Sequence, residues 1–155
     1  MNKCVQLLVW IVALEILGFI SGYPKSLTTD LWYLEIVKSP LSPPSIVFPI
    51  AWIILYAMIA ACGWKIWQPE NKIGFTKIKL LYVLQLILNL SWTTIFFYMH
   101  WVLVGFFVIV AMIVLVGWLI KLTFSKRRIC AYLLMPYFCW LIFAAYLNGY
   151  IWIFN

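Results

Sequence analysis

Polar and aromatic side chains recur at helical spacing inside apolar stretches of this chain, and these are its groups able to do chemistry. Gln85, Asn89, Ser91, Thr93 and Thr94 lie in one stretch, and Tyr137 and Asn148 in another. Trp52 with Tyr56, Trp92 with Phe96, and Trp140 with Phe143 and Ala144 are three or four residues apart, which puts each set on one helical face. Amides cannot face lipid cheaply, so they turn to other helices or to a cavity. Rings with a few amides suit a flat amphipathic ligand, which gains area from stacking and orientation from hydrogen bonds. Membrane-interface belts also use such rings, and Trp10, Trp64, Trp67, Trp118 and Trp152 fit that use. Trp52, Trp92 and Trp140 lie deeper or beside polar groups and are the better pocket candidates.

Conventional catalytic sets are missing from the sequence. There is no Ser/His/Asp set, no HExxH, no Gly-rich phosphate loop and no carboxylate pair, so hydrolytic, metal and phosphoryl-transfer chemistry lack candidates. Cys4, Cys62, Cys130 and Cys139 form no CxxC pair and read as small packing residues. A metal site would want clustered Cys or His, and His100, the single histidine, reads as an interfacial residue beside Trp101. No metal and no cofactor is expected. Glu15 stands apart, because a carboxylate near mid-span is expensive and marks a functional hypothesis. A protonated acid bonded to another helix, or a segment shifted so that Glu15 reaches a headgroup, is the preferred account, because no basic partner lies at matching depth in another span.

The elements that position these groups are membrane-length helices. Apolar and aromatic residues make up 67% of the chain and charged ones 10%, against about 25% charged in soluble domains. A helix needs about 20 apolar residues to cross a hydrocarbon core of roughly 30 Å. Runs of that length occupy Val5–Ser21, Ile46–Trp67, Ile78–Tyr98, Val102–Phe124 and Ile129–Phe154. They are joined by a long Pro-containing loop over 22–45, a polar connection Gln68–Thr76, a bare turn Tyr98–Trp101 and a basic turn Ser125–Arg128. The first run, with Lys3 ahead of it, also resembles a signal peptide, but no small-x-small cleavage site follows and it is read as a span. The expectation is an all-α membrane protein, a five-transmembrane-helix bundle forming one domain over 1–155. No internal repeat is visible, and an odd number of spans disfavours an inverted-repeat transporter plan.

Charge orients the bundle. Lys3, Lys65, Lys72, Lys77, Lys79, Lys121, Lys126, Arg127 and Arg128 fall on the side of the N-terminus, whereas Lys25 and Lys38 on the other side are balanced by Asp30 and Glu35. The positive-inside rule then puts the N-terminus in the cytoplasm and the C-terminus outside. The same asymmetry accounts for the net charge of +7, so no nucleic-acid partner is expected. Within the span bounds given above no GxxxG pair is complete, since Gly18-Phe19-Ile20-Ser21-Gly22 runs one residue past the end of the first.

The outward loop contains Lys38-Ser39-Pro40-Leu41-Ser42-Pro43-Pro44 and runs into Phe48-Pro49-Ile50-Ala51-Trp52. Prolines at this density forbid a helix and stiffen the backbone, as suits a lid over an aromatic helix mouth. Trp32-Tyr33, this loop, and the run to Tyr56 together resemble the signature of the TspO/MBR family, the translocator proteins. Leu88-Asn89-Leu90-Ser91-Trp92 through Phe96-Phe97, and Pro136-Tyr137-Phe138-Cys139-Trp140 through Phe143-Ala144 and Leu147-Asn148, agree in the same order.

The resemblance implies a five-helix bundle, usually a homodimer, with a pocket under the first loop for tetrapyrroles such as protoporphyrin IX. It maps Trp32, Pro43, Pro44, Phe48, Trp52, Tyr56, Asn89, Trp92, Phe96, Trp140, Phe143 and Ala144 onto that pocket. Some bacterial members are said to degrade porphyrin in light through two tryptophans, whose counterparts here are Trp52 and Trp140. Departures are Leu41 where the family usually has a loop tryptophan, and a C-terminal run Leu147-Asn148-Gly149-Tyr150 to Asn155 without the basic residue of the sterol pattern, so specific cholesterol binding is not expected. A receptor for porphyrin-like amphiphiles is therefore the leading expectation. A light-dependent porphyrin-degrading enzyme, or a regulatory membrane subunit or transporter without a catalytic role, is the alternative. The family resemblance also implies a plasma (inner) membrane, because the chain ends without the basic tail common in animal members, with an outer mitochondrial address as the alternative.

Overall fold

Inside a bilayer every backbone N–H and C=O must find its partner within the protein, and a helix does this locally. The computed structural model describes residues 2–68 and 75–155, without the side chains of 23–31 and 75–76, and its elements follow that rule. They are α1 (Lys3–Glu35), α2 (Val47–Trp67), α3 (Phe75–Thr93), a π-helical turn continuing it (Thr94–Tyr98), α4 (Val102–Lys126) and α5 (Arg128–Phe154). Among the described residues, five stretches are long and apolar enough to cross a membrane: Lys3–Gly22, Val47–Trp67, Lys77–Tyr98, Val102–Lys126 and Arg128–Phe154. Residues 69–74, with Lys72 and most of the polar connection, lie outside the described residues, as do the side chains of Lys25 and Asp30.

One boundary departs from the sequence reading. The loop expected over 22–45 begins only after Glu35, because α1 continues well past its apolar run. Hydropathy marks where lipid contact stops, whereas the helix itself persists while its far end has something to pack on. Trp32 and Tyr33 supply that contact, lying against Phe96 and Phe97 of the π turn at centroid separations of 5.7 and 5.5 Å. The helix stops at Ile36, whose backbone is extended and whose N–H still bonds to the Trp32 carbonyl.

The buried stripes follow helical periodicity. In α4 they are Gly105, Ile109, Met112, Val116, Leu119 and Thr123, and in α2 Leu55, Ile59, Cys62 and Ile66. Cys130, Leu134, Tyr137 and Leu141 do the same for α5, while Phe107, Val114 and Trp118 of α4 point outward. Lipid is as apolar as leucine, so association of such helices depends on close fit and on polar contacts. Gly18 supplies the fit between α1 and α2, since a Cβ there would run into the Tyr56 ring. Polar contacts tie the N-terminal-side end, where Arg127 Nη1 donates to the Lys65 carbonyl at 2.9 Å and the Cys130 thiol lies 3.8 Å from the Cys62 carbonyl. Ser21 donates from α1 to the Leu90 carbonyl of α3.

At the opposite end, residues 36–46 are fastened down. Ser39, 4% exposed, shares a 2.8 Å hydrogen bond with the Tyr146 hydroxyl of α5 and accepts from Leu41 N–H through its Oγ. Val37 exchanges two bonds with the Asn155 side chain, its N–H donating at 2.8 Å and its carbonyl accepting at 3.1 Å. Pro44 offers its carbonyl to Val47 N–H at 2.9 Å, starting α2.

Candidate ligand site

The first turns of α2 face the middle of α5, and both carry rings at helical spacing. Trp52 contacts Trp140 at 6.5 Å with an interplanar angle of 82°, Tyr137 at 6.4 Å and Tyr56 at 5.4 Å. Phe48 meets Trp140 edge-on at 6.0 Å, and Phe143 lies 5.8 Å from the same ring. Separations of 4.5–7 Å in tilted or T-shaped pairs are the favoured aromatic arrangements. Trp52 and Trp140 remain half-buried. Phe143 stacks in turn on Tyr146, the ring whose hydroxyl holds Ser39 of the loop.

Beneath these rings lies a closed polar chain. The Tyr56 hydroxyl donates to Asn89 Oδ1 at 2.6 Å, and Asn89 Nδ2 donates to the Tyr137 hydroxyl at 2.8 Å. Tyr137 donates onward to Met112 Sδ at 3.7 Å. Tyr56, Asn89 and Tyr137 are 8%, 4% and 0% exposed, so α2, α3 and α5 are joined through groups shielded from solvent. Asn89 was expected at helix contacts or in a cavity; it spends both ends of its amide on neighbouring helices.

A second aromatic group sits on the π turn. Trp92 stacks on Phe96 at 5.0 Å, Trp32 of α1 meets Phe96 at 5.7 Å, and His100 stacks on Trp32 at 4.2 Å. A π turn inserts one residue into the helical register, and here it turns both Phe96 and Phe97 inward. His100 then takes a positive φ of 56°, in the left-handed region where histidine is among the more tolerant residues, and ends the element.

The residues expected around one pocket thus fall into two groups. Phe48, Trp52, Tyr56, Trp140 and Phe143 come together above Asn89, whereas Trp32, Trp92 and Phe96 gather on the π turn. Pro43 is half-buried and Pro44 exposed, both in the loop, and Ala144 is half-buried one turn beyond Trp140. Ser39, Tyr146 and Met112 join the site without having been singled out; Ser39 sat in the proline loop, but its partner is 107 residues away. Of the belt candidates, Trp118 and Trp152 are half-exposed, while Trp10 and Trp67 pack on each other at 5.5 Å. Glu15 is half-buried, and its Oε1 has no hydrogen-bond partner among the described residues. Those residues include no group of three or more His, Cys, Asp or Glu able to hold a metal ion. A shallow apolar groove of about 370 Å³ lies on α1, lined by Val5, Leu8, Val9, Val12, Ala13 and Ile16.

Five apolar helices, with an aromatic cluster under a fastened loop and an uncharged polar chain beneath it, define a multi-pass helical membrane protein. The TspO/MBR family model matches residues 10–153, and the chain belongs to that family. It is 32% identical to the tryptophan-rich protein TspO of Chlorobaculum tepidum, over 96% of this chain and 95% of that one. A tryptophan-rich sensory protein of Cereibacter sphaeroides shares 30% identity over 79% of this chain and 75% of its own. The human translocator protein shares 32% over 78% and 73% respectively.

Proposed function

We propose that this protein is a membrane receptor for flat, amphipathic, porphyrin-like ligands such as protoporphyrin IX, held against Trp52 and Trp140 below the loop 36–46. The observation that carries this reading is the edge-to-face pair of half-buried indoles, 6.5 Å apart, over an uncharged floor. A planar apolar ligand gains stacking area on such faces, and a closed, satisfied floor costs it no unpaired polar group. A relative named as a sensory protein is in keeping with a receptor role. The reading includes the orientation drawn from charge, with the N-terminus cytoplasmic in a plasma membrane, and a homodimer carried by the family resemblance alone.

Light-dependent degradation of the bound porphyrin is the second reading, favoured by the same contact, because two electron-rich indoles would border the excited ring. The test is a titration of the purified protein with protoporphyrin IX by tryptophan fluorescence, first in darkness and then under illumination. Saturable dark quenching that weakens in Trp52→Phe/Trp140→Phe, with helicity unchanged, supports the receptor. Bleaching of the porphyrin bands in light, lost in the same variant, adds the enzyme. Absence of saturable quenching overturns both.

A further inference from the structure

Where the end of α3, α4 and α5 meet, two hydrogen-bond donors converge on a residue that has no side chain. Gly105 is buried in α4, and a Cβ on it would lie 3.1 Å from Asn148 Nδ2, 3.4 Å from Trp92 Nε1 and 3.4 Å from Phe96 Cδ2. Asn148 is 2% exposed, yet neither Nδ2 nor Oδ1 has a hydrogen-bond partner among the described residues. Trp92 Nε1 is buried and equally without one. Asn89, three residues before Trp92 on α3, has both ends of its amide satisfied. Buried donors are nearly always paired, and an unpaired one costs the full desolvation of the group. Two such donors beside one glycine therefore point to a missing acceptor.

The surroundings narrow the kind of acceptor. The three atoms nearest the Gly105 notch belong to an amide, an indole and a phenyl ring, all uncharged. An isolated carboxylate in such a setting would go uncompensated, whereas a neutral carbonyl oxygen needs two donors and no counter-charge. The notch also lies in line with the aromatic cluster. Asn148 follows Trp140 and Ala144 at successive i+4 steps on α5, a rise of about 12 Å at 1.5 Å per residue. A flat ligand resting on Trp140 and extending along α5 brings its rim to this point.

We propose that Trp92 Nε1 and Asn148 Nδ2, both within 3.4 Å of the Cβ position of Gly105, form a polar subsite for a neutral carbonyl oxygen at the rim of the ligand. The proposal rests on the receptor reading above and specifies what that receptor would select: an aromatic plane bearing an ester or protonated-acid carbonyl over one bearing only alkyl groups.

The test compares protoporphyrin IX dimethyl ester, which carries carbonyls, with octaethylporphyrin, which has none, on the full-length protein in detergent by dark quenching. The unmodified protein should prefer the ester about tenfold, the effect of two neutral hydrogen bonds. Trp92→Phe removes one donor and should reduce that preference several-fold, while Asn148→Leu removes the other. Gly105→Ala keeps both donors but fills the notch, and should erase the preference with octaethylporphyrin binding unchanged; helical circular dichroism identifies any variant that does not fold. Equal binding of the two porphyrins, or a preference that survives both Trp92→Phe and Gly105→Ala, would overturn the subsite, leaving the notch as a seat for water. If neither porphyrin binds, the receptor reading is overturned, and the subsite with it.

Discussion

Replacing Asn89 by leucine should cost the bundle about 2 kcal/mol, and the way that loss is repaired tests the polar floor more sharply than its size. The substitution removes two neutral hydrogen bonds, each worth about 1 kcal/mol in soluble proteins and about 0.6 kcal/mol on average between membrane helices. It also orphans two phenols. Tyr137, 0% exposed, keeps only its long contact to Met112 Sδ, and Tyr56 loses its acceptor altogether. Leaving a buried hydroxyl unpaired costs about 1–3 kcal/mol, whereas removing every partner together with apolar groups of similar shape is nearly neutral. Asn89→Leu with Tyr56→Phe and Tyr137→Phe should therefore recover more than half of the single variant's loss. Reversible unfolding in mixed micelles, followed by tryptophan fluorescence and circular dichroism, measures both. If Asn89→Leu costs under about 0.5 kcal/mol, or if the triple variant is less stable than the single one, the three groups do not act as one buried unit and the reasoning fails.

Other outcomes are open to simple checks. Gly18→Ala should destabilise by about 1–3 kcal/mol, because its Cβ meets a Tyr56 ring already pinned by Asn89; an unchanged unfolding midpoint would mean that α1 and α2 do not approach this closely. Pro43→Ala with Pro44→Ala should weaken porphyrin binding several-fold by loosening the loop before ligand arrives, and equal affinities would reduce the loop to a connector. Cys62 and Cys130, both 0% exposed, should resist a membrane-permeant maleimide in the folded protein, while Cys4 at the start of α1 reacts; mass spectrometry after timed labelling distinguishes them.

The five spans were legible in the sequence because a bilayer imposes length and low charge on any helix that crosses it, and few other constraints leave so plain a trace. The end of α1 was not, since Trp32 and Tyr33 extend the helix through contacts with Phe96 and Phe97 that are more than 60 residues distant and set by packing. Asn89 declared itself as an interior polar group, but nothing local names Tyr56 and Tyr137 as its partners, 33 and 48 residues away. The stacking of Trp92 on Phe96 follows their four-residue spacing, but the contacts of Trp32 and Tyr33 with Phe96 and Phe97 depend on the π turn that the sequence does not announce. Gly105 left no sign at all: a glycine within an apolar run acquires meaning only from what faces it.

The Tyr56–Asn89–Tyr137 chain has a bearing on how cargo could travel. It bolts α2, α3 and α5 together directly below the indoles, and Ile59, Met112 and Leu134, each no more than 2% exposed, fill the space around and beyond it. On the receptor reading, the ligand's seat is thus closed on its inner side, a cul-de-sac rather than a tunnel. A molecule entering from the loop side would have to back out by the same door or slip sideways between helices into the lipid, and threading the long axis would mean tearing out the bolt. Any traffic through this protein would accordingly be an exchange conducted at one face of the membrane, a handover and not a crossing.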